Sequence, residues 1–202
     1  MAYYNLNRAA PIAGLILVLF SVLLNPSRTL AQVPEIDIQK TARITLGKSA
    51  AQPNQTALVP VYLVPPKSIP VGRVKFDVTF VSVNMKFEKV EPGPVIDAGN
   101  VRFNTSITPG KNENGVETST LSIQAELTDQ TAGGFPSGII AYLSMRLSAE
   151  AQPAQITLRT SAAEANQVGT GEAIADVRSY DAQMEVQVEG FKPTAVCFFF
   201  SH

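Results

Sequence analysis

The sequence of 202 residues contains no tryptophan, one histidine and one cysteine. Because the single histidine is His202, at the far end of the sequence, a Ser-His-Asp or Cys-His catalytic site is not expected. Cys197 has no second cysteine with which to form a disulfide, so the hydrophobic core has to stabilise the fold. The missing tryptophan counts against a face that stacks sugar rings on large, flat aromatic side chains.

Charged residues of the two signs are nearly equal in number. The chain has 16 Lys and Arg against 17 Asp and Glu, for a net charge of −1, whereas a nucleic-acid surface would show a clustered basic face. A glycosidase would need two carboxylates facing one cleft. Isolated acids are usually solvated instead, and this is our interpretation of Glu88, Glu91, Asp97, Glu126 and Asp129. We therefore predict a protein that is not an enzyme, has no cofactor and binds no nucleic acid.

A calcium site is left open by the sequence. Oxygen ligands in loops suit Ca²⁺, and the loop around Asp129, or Asp176 together with Asp181, could supply them. The chain has no D-x-[DN]-x-[DN]-G loop. The sequence therefore predicts neither the presence nor the absence of a metal site.

Residues 1–31 have the pattern of a secretory signal peptide. Arg8 ends a short polar opening, residues 9–24 are mainly apolar, and Thr29-Leu30-Ala31 resembles a cleavage site. The alternative is a membrane anchor, but an apolar run of about 16 residues is shorter than the roughly 20 that span a bilayer. We expect cleavage near Ala31. The mature chain is then secreted to the extracellular space, the periplasm or the cell surface, and has no transmembrane span.

After the signal peptide, short runs alternate between apolar and polar residues. This is the period of a strand with one face in a core and one in water. In the central run, the alternation places Val74, Phe76, Val78 and Phe80 against Arg73, Lys75, Asp77 and Thr79. Some eight or nine such strands, separated by turn signals, predict an all-β sandwich that forms one domain over residues 33–190.

The run at residues 138–147 has the most regular alternation in the chain. Ile139 and Leu143 fall in one phase, and Ile140 and Ser144 fall in the other. Because the first phase is purely apolar, we predict that Ile139 and Leu143 face the core, while Ile140 and Ser144 face water.

Three other segments carry more local signals. Pro60 lies in a strand-like run, and because it cannot donate a hydrogen bond to a ladder it predicts an edge strand or a bulge. Residues 108–115 are dense in turn residues and predict a loop. Residues 162–167 could form at most one helical turn.

The tail, residues 191–202, contains the apolar run from Cys197 to Phe200. Four apolar residues in a row favour aggregation if they are exposed, so we expect them to pack on the sandwich as a last strand or a flap. The alternative is a docking peptide for a membrane or an assembly partner, although the run is too short to span a bilayer. Burial of Cys197 predicts a monomer on non-reducing gels.

Five segments share their order and spacing with one known family. They are Val59-Pro60-Val61, the strand from Val74 to Phe80, the segment from Met85 to Gly93, the strand from Gly138 to Leu147, and the stretch from Ala163 to Val188. In this order they resemble a cohesin domain, the nine-stranded jelly-roll sandwich of cellulosome scaffoldins and of other secreted proteins. The resemblance implies a jelly-roll β-sandwich that binds another protein and catalyses no reaction.

The resemblance also implies where a partner would bind. Cohesin partner contacts lie on the strand that corresponds to the central run, so Arg73, Lys75, Asp77 and Thr79 are predicted as the partner-binding face. Dockerin-binding cohesins tend to carry Asn and Asp where this chain has Arg73 and Lys75, and two cations suit a carboxylate-rich partner. We predict a dockerin-like or other protein partner in an extracellular or cell-surface assembly. The alternative is a carbohydrate-binding module of a polysaccharide-processing system.

Overall fold

The computed structural model describes residues 36–129, 133–152 and 154–187, all of which belong to one compact unit, Ile36–His202. These residues form eleven β-strands and one 3₁₀-helix, Ala98–Asn100. The strands are β1 (Thr41–Leu46), β2 (Ser49–Ala51), β3 (Thr56–Val64), β4 (Val71–Val81), β5 (Met85–Pro92), β6 (Val101–Lys111), β7 (Glu117–Leu127), β8 (Gly138–Leu147), β9 (Gln155–Gln167), β10 (Asp176–Tyr180) and β11 (Ala182–Val186). The all-β prediction is confirmed.

The strands form two sheets with a single core between them. The five-stranded sheet has the order β10-β1-β3-β8-β5, and the six-stranded sheet has the order β2-β11-β9-β4-β7-β6. Most neighbours are antiparallel, and β10 with β1 and β2 with β11 are parallel pairs. The strand count exceeds the predicted eight or nine because β2 and β10 were not expected from the sequence. The arrangement is the predicted β-sandwich.

The core is built from the inward phases of both sheets. β4 supplies its predicted alternate residues, all of which are buried: Val74, Phe76, Val78 and Phe80. The five-stranded sheet contributes buried residues of β1, β3 and β8, which include Ile44, Leu63, Leu143, Met145 and Leu147. Alternation with period two places every second side chain of a strand on the same face, so each sheet covers the other with an apolar layer.

The predicted phase of β8 is correct at Leu143 and wrong at Ile139 and Ile140. Leu143 is fully buried, but Ile140 is buried beside Ala141, and Ile139 is only half-buried. The reason is a bulge: β3 shifts register against β8 between Val61 and Tyr62, which leaves Ile140 as the extra residue. A bulge of one residue exchanges the faces of the residues on either side of it.

Ser144 has the predicted phase but not the predicted exposure, because it is only 1% exposed. It lies in register between Leu58 of β3 and Lys89 of β5. These two longer side chains flank a short one on both sides, so the outer face of the five-stranded sheet excludes water there.

The expectations for Pro60, residues 108–115 and residues 162–167 are corrected in part. β3 is an inner strand, and Pro60 lies one residue before the point where β3 meets the bulge of β8. The carbonyl of Pro60 accepts a hydrogen bond of 2.7 Å from the backbone N–H of Gly47, just past the end of β1. β6 continues to Lys111 because it pairs residue by residue with β7. Residues 162–167 belong to β9, which pairs with β4.

Several predictions concern residues outside the described part of the chain. These are the signal peptide at residues 1–31, the tail at residues 191–202 with Cys197 and Phe200, and the last strand residue Val188. They stay predictions. Within residues 36–129, 133–152 and 154–187, no helix is long and apolar enough to cross a membrane.

Candidate functional site

The four residues predicted as a partner-binding face lie together on the outer face of the six-stranded sheet. β4 is an inner strand of this sheet, with β7 on one side and β9 on the other. Arg73, Lys75, Asp77 and Thr79 are all half-buried and alternate with the buried core residues of β4. The alternation therefore places them as the sequence predicts.

Register extends this face across four strands, β6, β7, β4 and β9, which we call the β4 face. Each of its rows runs perpendicular to β4 through one of the four predicted residues. The rows are Arg102-Glu126-Arg73-Asn166, Asn104-Gln124-Lys75-Glu164, Ser106-Ser122-Asp77-Ser161 and Thr108-Thr120-Thr79-Arg159. The first two rows are rich in charged and amide groups, whereas the last two are rich in hydroxyl groups.

Arg73 is held in place by the neighbouring strand. Its Nε and Nη2 atoms donate to Oδ1 of Asn166 at 3.1 and 3.0 Å, and Asn166 Nδ2 donates in turn to the carbonyl of Gly171 at 2.9 Å. Two hydrogen bonds to one amide oxygen fix the guanidinium, and Glu126 lies opposite Arg73 in register on β7. Arg73 is therefore an ordered cation on the β4 face.

Lys75 is more loosely held. Its Nζ lies 3.8 Å from Oε1 of Glu164, and the two side chains are 43% and 61% exposed. An ion pair this exposed contributes at most about 1 kcal/mol to stability. Lys75 can therefore exchange Glu164 for another carboxylate at little expense in free energy, so the pair does not remove it from the candidate site.

The other half of the β4 face carries hydroxyl groups. Thr79 and Thr120 share a hydrogen bond of 3.0 Å between their Oγ1 atoms. Asp77 lies in the next row between Ser122 and Ser161, and its Oδ1 is buried and accepts no hydrogen bond from any residue that the structure describes. Short side chains here allow a partner surface to approach the sheet more closely than over Arg73 and Lys75.

Sequence reasoning missed the part of the β4 face that comes from β9. Glu164 and Asn166, which contact Lys75 and Arg73, lie in a segment with helix-forming residues and no regular alternation. The contributions of β7 carried a usable signal, since Ser122, Gln124 and Glu126 occupy the polar phase of an alternating run. Only the register between strands shows that these residues share rows with β4.

The carboxylates considered for catalysis have structural partners. Glu88 lies 3.7 Å from Arg146 and accepts from Thr56 at 2.9 Å, Glu91 accepts from Lys89 at 2.7 Å, and Asp97 accepts from the backbone N–H of Gly99 at 3.1 Å. Glu88 and Glu91 lie on β5 and Asp97 caps the 3₁₀-helix, so each of these three acids makes a contact within the fold.

The candidate calcium ligands are also engaged within the protein. Asp176 Oδ2 accepts from Thr41 at 2.6 Å, and Asp181 Oδ1 accepts from the backbone N–H and the hydroxyl of Thr160 at 2.7 and 3.1 Å. In the described part of the chain, no group of three or more His, Cys, Asp and Glu residues is placed to hold a metal ion.

The outer face of the five-stranded sheet has a different character. Tyr62 on β3 and Tyr180 on β10 both lie in register beside Thr45 of β1 and are 37% and 39% exposed. Tyr142 of β8 is half-buried in the same phase, and Leu58 is 51% exposed. We call these partly exposed side chains, Tyr62, Tyr142, Tyr180 and Leu58, the tyrosine face.

No protein-family model matches the sequence, and no curated protein matches it significantly. Solved structures do match the fold. The sixth cohesin of scaffoldin B from Acetivibrio cellulolyticus, in complex with the Cel5 dockerin, aligns with a TM-score of 0.55 and 14% identity over 73% of this chain and 99% of that one. The seventh ScaB type I cohesin from Pseudobacteroides cellulosolvens aligns with a TM-score of 0.55 and 15% identity over 80% and 98%.

A third similar structure is the non-cellulosomal cohesin from the archaeon Archaeoglobus fulgidus, with a TM-score of 0.50 and 15% identity over 73% of this chain and 92% of that one. The two sheets and their strand order define a jelly-roll β-sandwich. The described residues therefore have a cohesin-like fold, which confirms the resemblance of fold predicted from the sequence.

Proposed function

We propose that the chain is a secreted, non-catalytic module that binds another protein through the β4 face, within an extracellular or cell-surface assembly. The observation that carries this proposal is the arrangement of the half-buried residues Arg73, Lys75, Asp77 and Thr79 in consecutive rows of a four-strand surface. The cohesin-like fold supports a protein partner, because one similar structure is a cohesin in complex with a dockerin.

The charges of the β4 face suggest the chemistry of the partner. Arg73 is an ordered cation, and Lys75 is roughly 7 Å from it along the strand, because a strand rises about 3.3 Å per residue. Two such cations suit a partner surface that carries carboxylates at a similar spacing. We infer a dockerin-like or other protein with an acidic patch where it meets these two rows.

The test is capture of a partner from the native secretome with the mature domain, followed by binding measurements with the identified and purified partner. The variant Arg73→Glu with Lys75→Glu should weaken binding by tenfold or more and change its salt dependence, because charges at an interface act on association and on complementarity. The exposed Lys75–Glu164 pair contributes little to stability, but Arg73→Glu also loses the two hydrogen bonds to Asn166 and faces Glu126 in register. The Tm should therefore fall, and binding is measured at temperatures at which the variant is folded.

A matched control keeps the net charge of the variant while sparing the β4 face. Lys48 and Lys67 are exposed and lie outside the strands of both sheets, so Lys48→Glu with Lys67→Glu makes the same change in charge elsewhere. Unaltered binding by the Arg73/Lys75 variant, or an equal loss of binding in the control, would show that the β4 face does not bind the partner.

A second candidate function is carbohydrate binding, and the tyrosine face is the observation that favours it. Tyr62 and Tyr180 are partly exposed aromatic side chains on one sheet, and the ring of a tyrosine provides apolar area with a polar hydroxyl at one end. Binding of the wild type to insoluble polysaccharide, lost in Tyr62→Ala with Tyr180→Ala, would support this function. Retention of the double variant on the polysaccharide would contradict it.

A further inference from the structure

A cleft opens in the six-stranded sheet at the point where β4 ends and β9 begins. β7 pairs with β4 as far as Val81, whereas β9 pairs with β4 only as far as Thr79. The first residues of β9, from Gln155 to Leu158, pair instead with β11 on the other side. Phe80 and Val81 therefore have no register partner among the described residues of β9, and the two strands separate there.

The cleft is large enough for an aromatic side chain, with a volume of about 320 Å³. Among the residues that line it, Phe80 and Ile156 are buried, whereas Ala154, Gln155 and Thr157 are exposed. The first two therefore form an apolar floor, and the other three lie at the rim. Because a cavity of roughly 150 Å³ accommodates benzene, the cleft has room for at least one phenyl ring.

The described part of the chain ends beside this cleft. β11 is its last strand and is the neighbour of β9 in the sheet. The N–H of Val186 donates to the carbonyl of Ala154, a rim residue, at 3.0 Å, and the N–H of Gln187 donates to the carbonyl of Ala51 at 2.9 Å. Residue 187 is therefore about one strand spacing, roughly 5 Å, from the rim.

The sequence that follows has an apolar segment and enough residues to bring it back to the cleft. Residues 188–196 are nine in number, and an extended chain of that length spans about 30 Å, several times the distance to the rim. Gly190 and Pro193 lie among them and favour turns. The run from Cys197 to Phe200 then contains three consecutive phenylalanines, which gain free energy when they leave water.

We propose that the run from Cys197 to Phe200 docks into the cleft between β4 and β9, with at least one phenylalanine ring against Phe80 and Ile156. The sequence predicts packing on the sandwich, and the cleft identifies the place. The docking is independent of the proposed function. It also shields Cys197 from the thiols of other copies of the chain, because a buried thiol is inert.

The first measurement uses Cys197 as a natural probe, because it is the single cysteine of the sequence. In the reduced, folded full chain, its thiol should react with Ellman's reagent at least about tenfold more slowly than in the chain unfolded in urea, since packing excludes the reagent. Reaction at the same rate in both states would overturn the proposal.

The second measurement finds where the run packs. Thr157→Cys places a second thiol on the rim of the cleft. Gln52→Cys is the matched control, because Gln52 is also exposed and follows Ala51, on the side of β11 that faces away from β9. A run that did not dock would reach both positions, since both lie close to Gln187.

Disulfide formation with Cys197 should be at least about tenfold faster in Thr157→Cys than in Gln52→Cys, because docking raises the local concentration of the thiol at the rim. The rates are measured on the full chain at low protein concentration after mild oxidation, by mass spectrometry of the linked peptides. Equal rates, a faster rate in the control, or no disulfide in either variant would overturn the proposal.

Discussion

Leu143 tests whether the stability of the sandwich comes from the contact between its two sheets. It is fully buried on β8, an inner strand of the five-stranded sheet. Leu143→Ala removes three carbon atoms, which at about 0.8 kcal/mol for each buried methylene corresponds to about 2.4 kcal/mol. The cavity left behind raises the loss to about 3–5 kcal/mol. For a domain of this size, the Tm should fall by about 6–20 °C.

Leu58→Ala is the matched control, because it makes the same chemical change on the neighbouring strand β3. Leu58 is 51% exposed on the tyrosine face, so only about half of its surface is removed from water and the loss should be about 1 kcal/mol or less. Urea denaturation of both variants, with the slope of unfolding free energy against urea checked for constancy, measures the difference. Equal losses at the two positions would refute the assignment of the two faces.

Three further predictions concern other parts of the chain. Gly93→Ala should lose about 2 kcal/mol or more in urea denaturation, because an added Cβ would overlap the backbone carbonyl of Ile139; a loss near zero would contradict this close approach. The pKa of Asp176 is lowered from its ordinary value of 3.8, and the hydrogen bond from Thr41 is the largest cause. The ionised Asp176 therefore stabilises the fold above about pH 3.8, and this stabilisation is lost as the pH falls through the lowered pKa. Thr41→Val should therefore show a smaller drop in urea midpoint between about pH 7 and about pH 3 than the wild type, and equal drops would refute it. Intact-mass analysis of the secreted protein should give an N-terminus near Gln32, and a mature form that keeps residue 1 would refute the signal peptide.

The long strands were predictable because each buries one face. β4 and β7 alternate over most of their length, so local pattern fixes both their type and their inward phase. β2 and β10 were missed because they have three and five residues and are held by parallel pairing with strands distant in sequence, β11 and β1. Short strands carry little periodicity, and parallel pairing leaves no local signal.

Irregular positions were predicted less well, because neighbouring strands decide them. The bulge at Ile140 lies where β8 meets β3 and where the N–H of Gly93 donates to the carbonyl of Ile140 at 2.9 Å. The segment around Ala162 contains good helix formers, but pairing with β4 makes it a strand. In both places tertiary contacts outweigh the local preference of the sequence.

In the candidate site, too, the local pattern of one strand predicts some features and contacts between strands determine the others. The phase of β4 predicts that Arg73, Lys75, Asp77 and Thr79 share a face, and the structure places them so. The residues that lie beside these four depend on the register of β4 with β7 and β9, and the sequence of one strand does not determine that register. Among the described residues, the hydrogen bonds that hold Arg73 and the absence of a donor to Oδ1 of Asp77 depend on rows that run across strands.

The rigidity of β4 bears on how a partner would be selected. β4 pairs with β7 from residue 73 to residue 81 and with β9 from residue 71 to residue 79, so its backbone is held on both sides over almost its whole length. Binding would then immobilise side chains such as Lys75 but not the backbone, and each immobilised side chain costs about 0.5–1.5 kcal/mol of binding free energy. Arg73 would add little to this cost, because Asn166 already fixes it. Affinity differences between partners should therefore come from the charges opposite Arg73, Lys75 and Asp77. For the same reason Leu143→Ala should lower stability without changing which partner is bound.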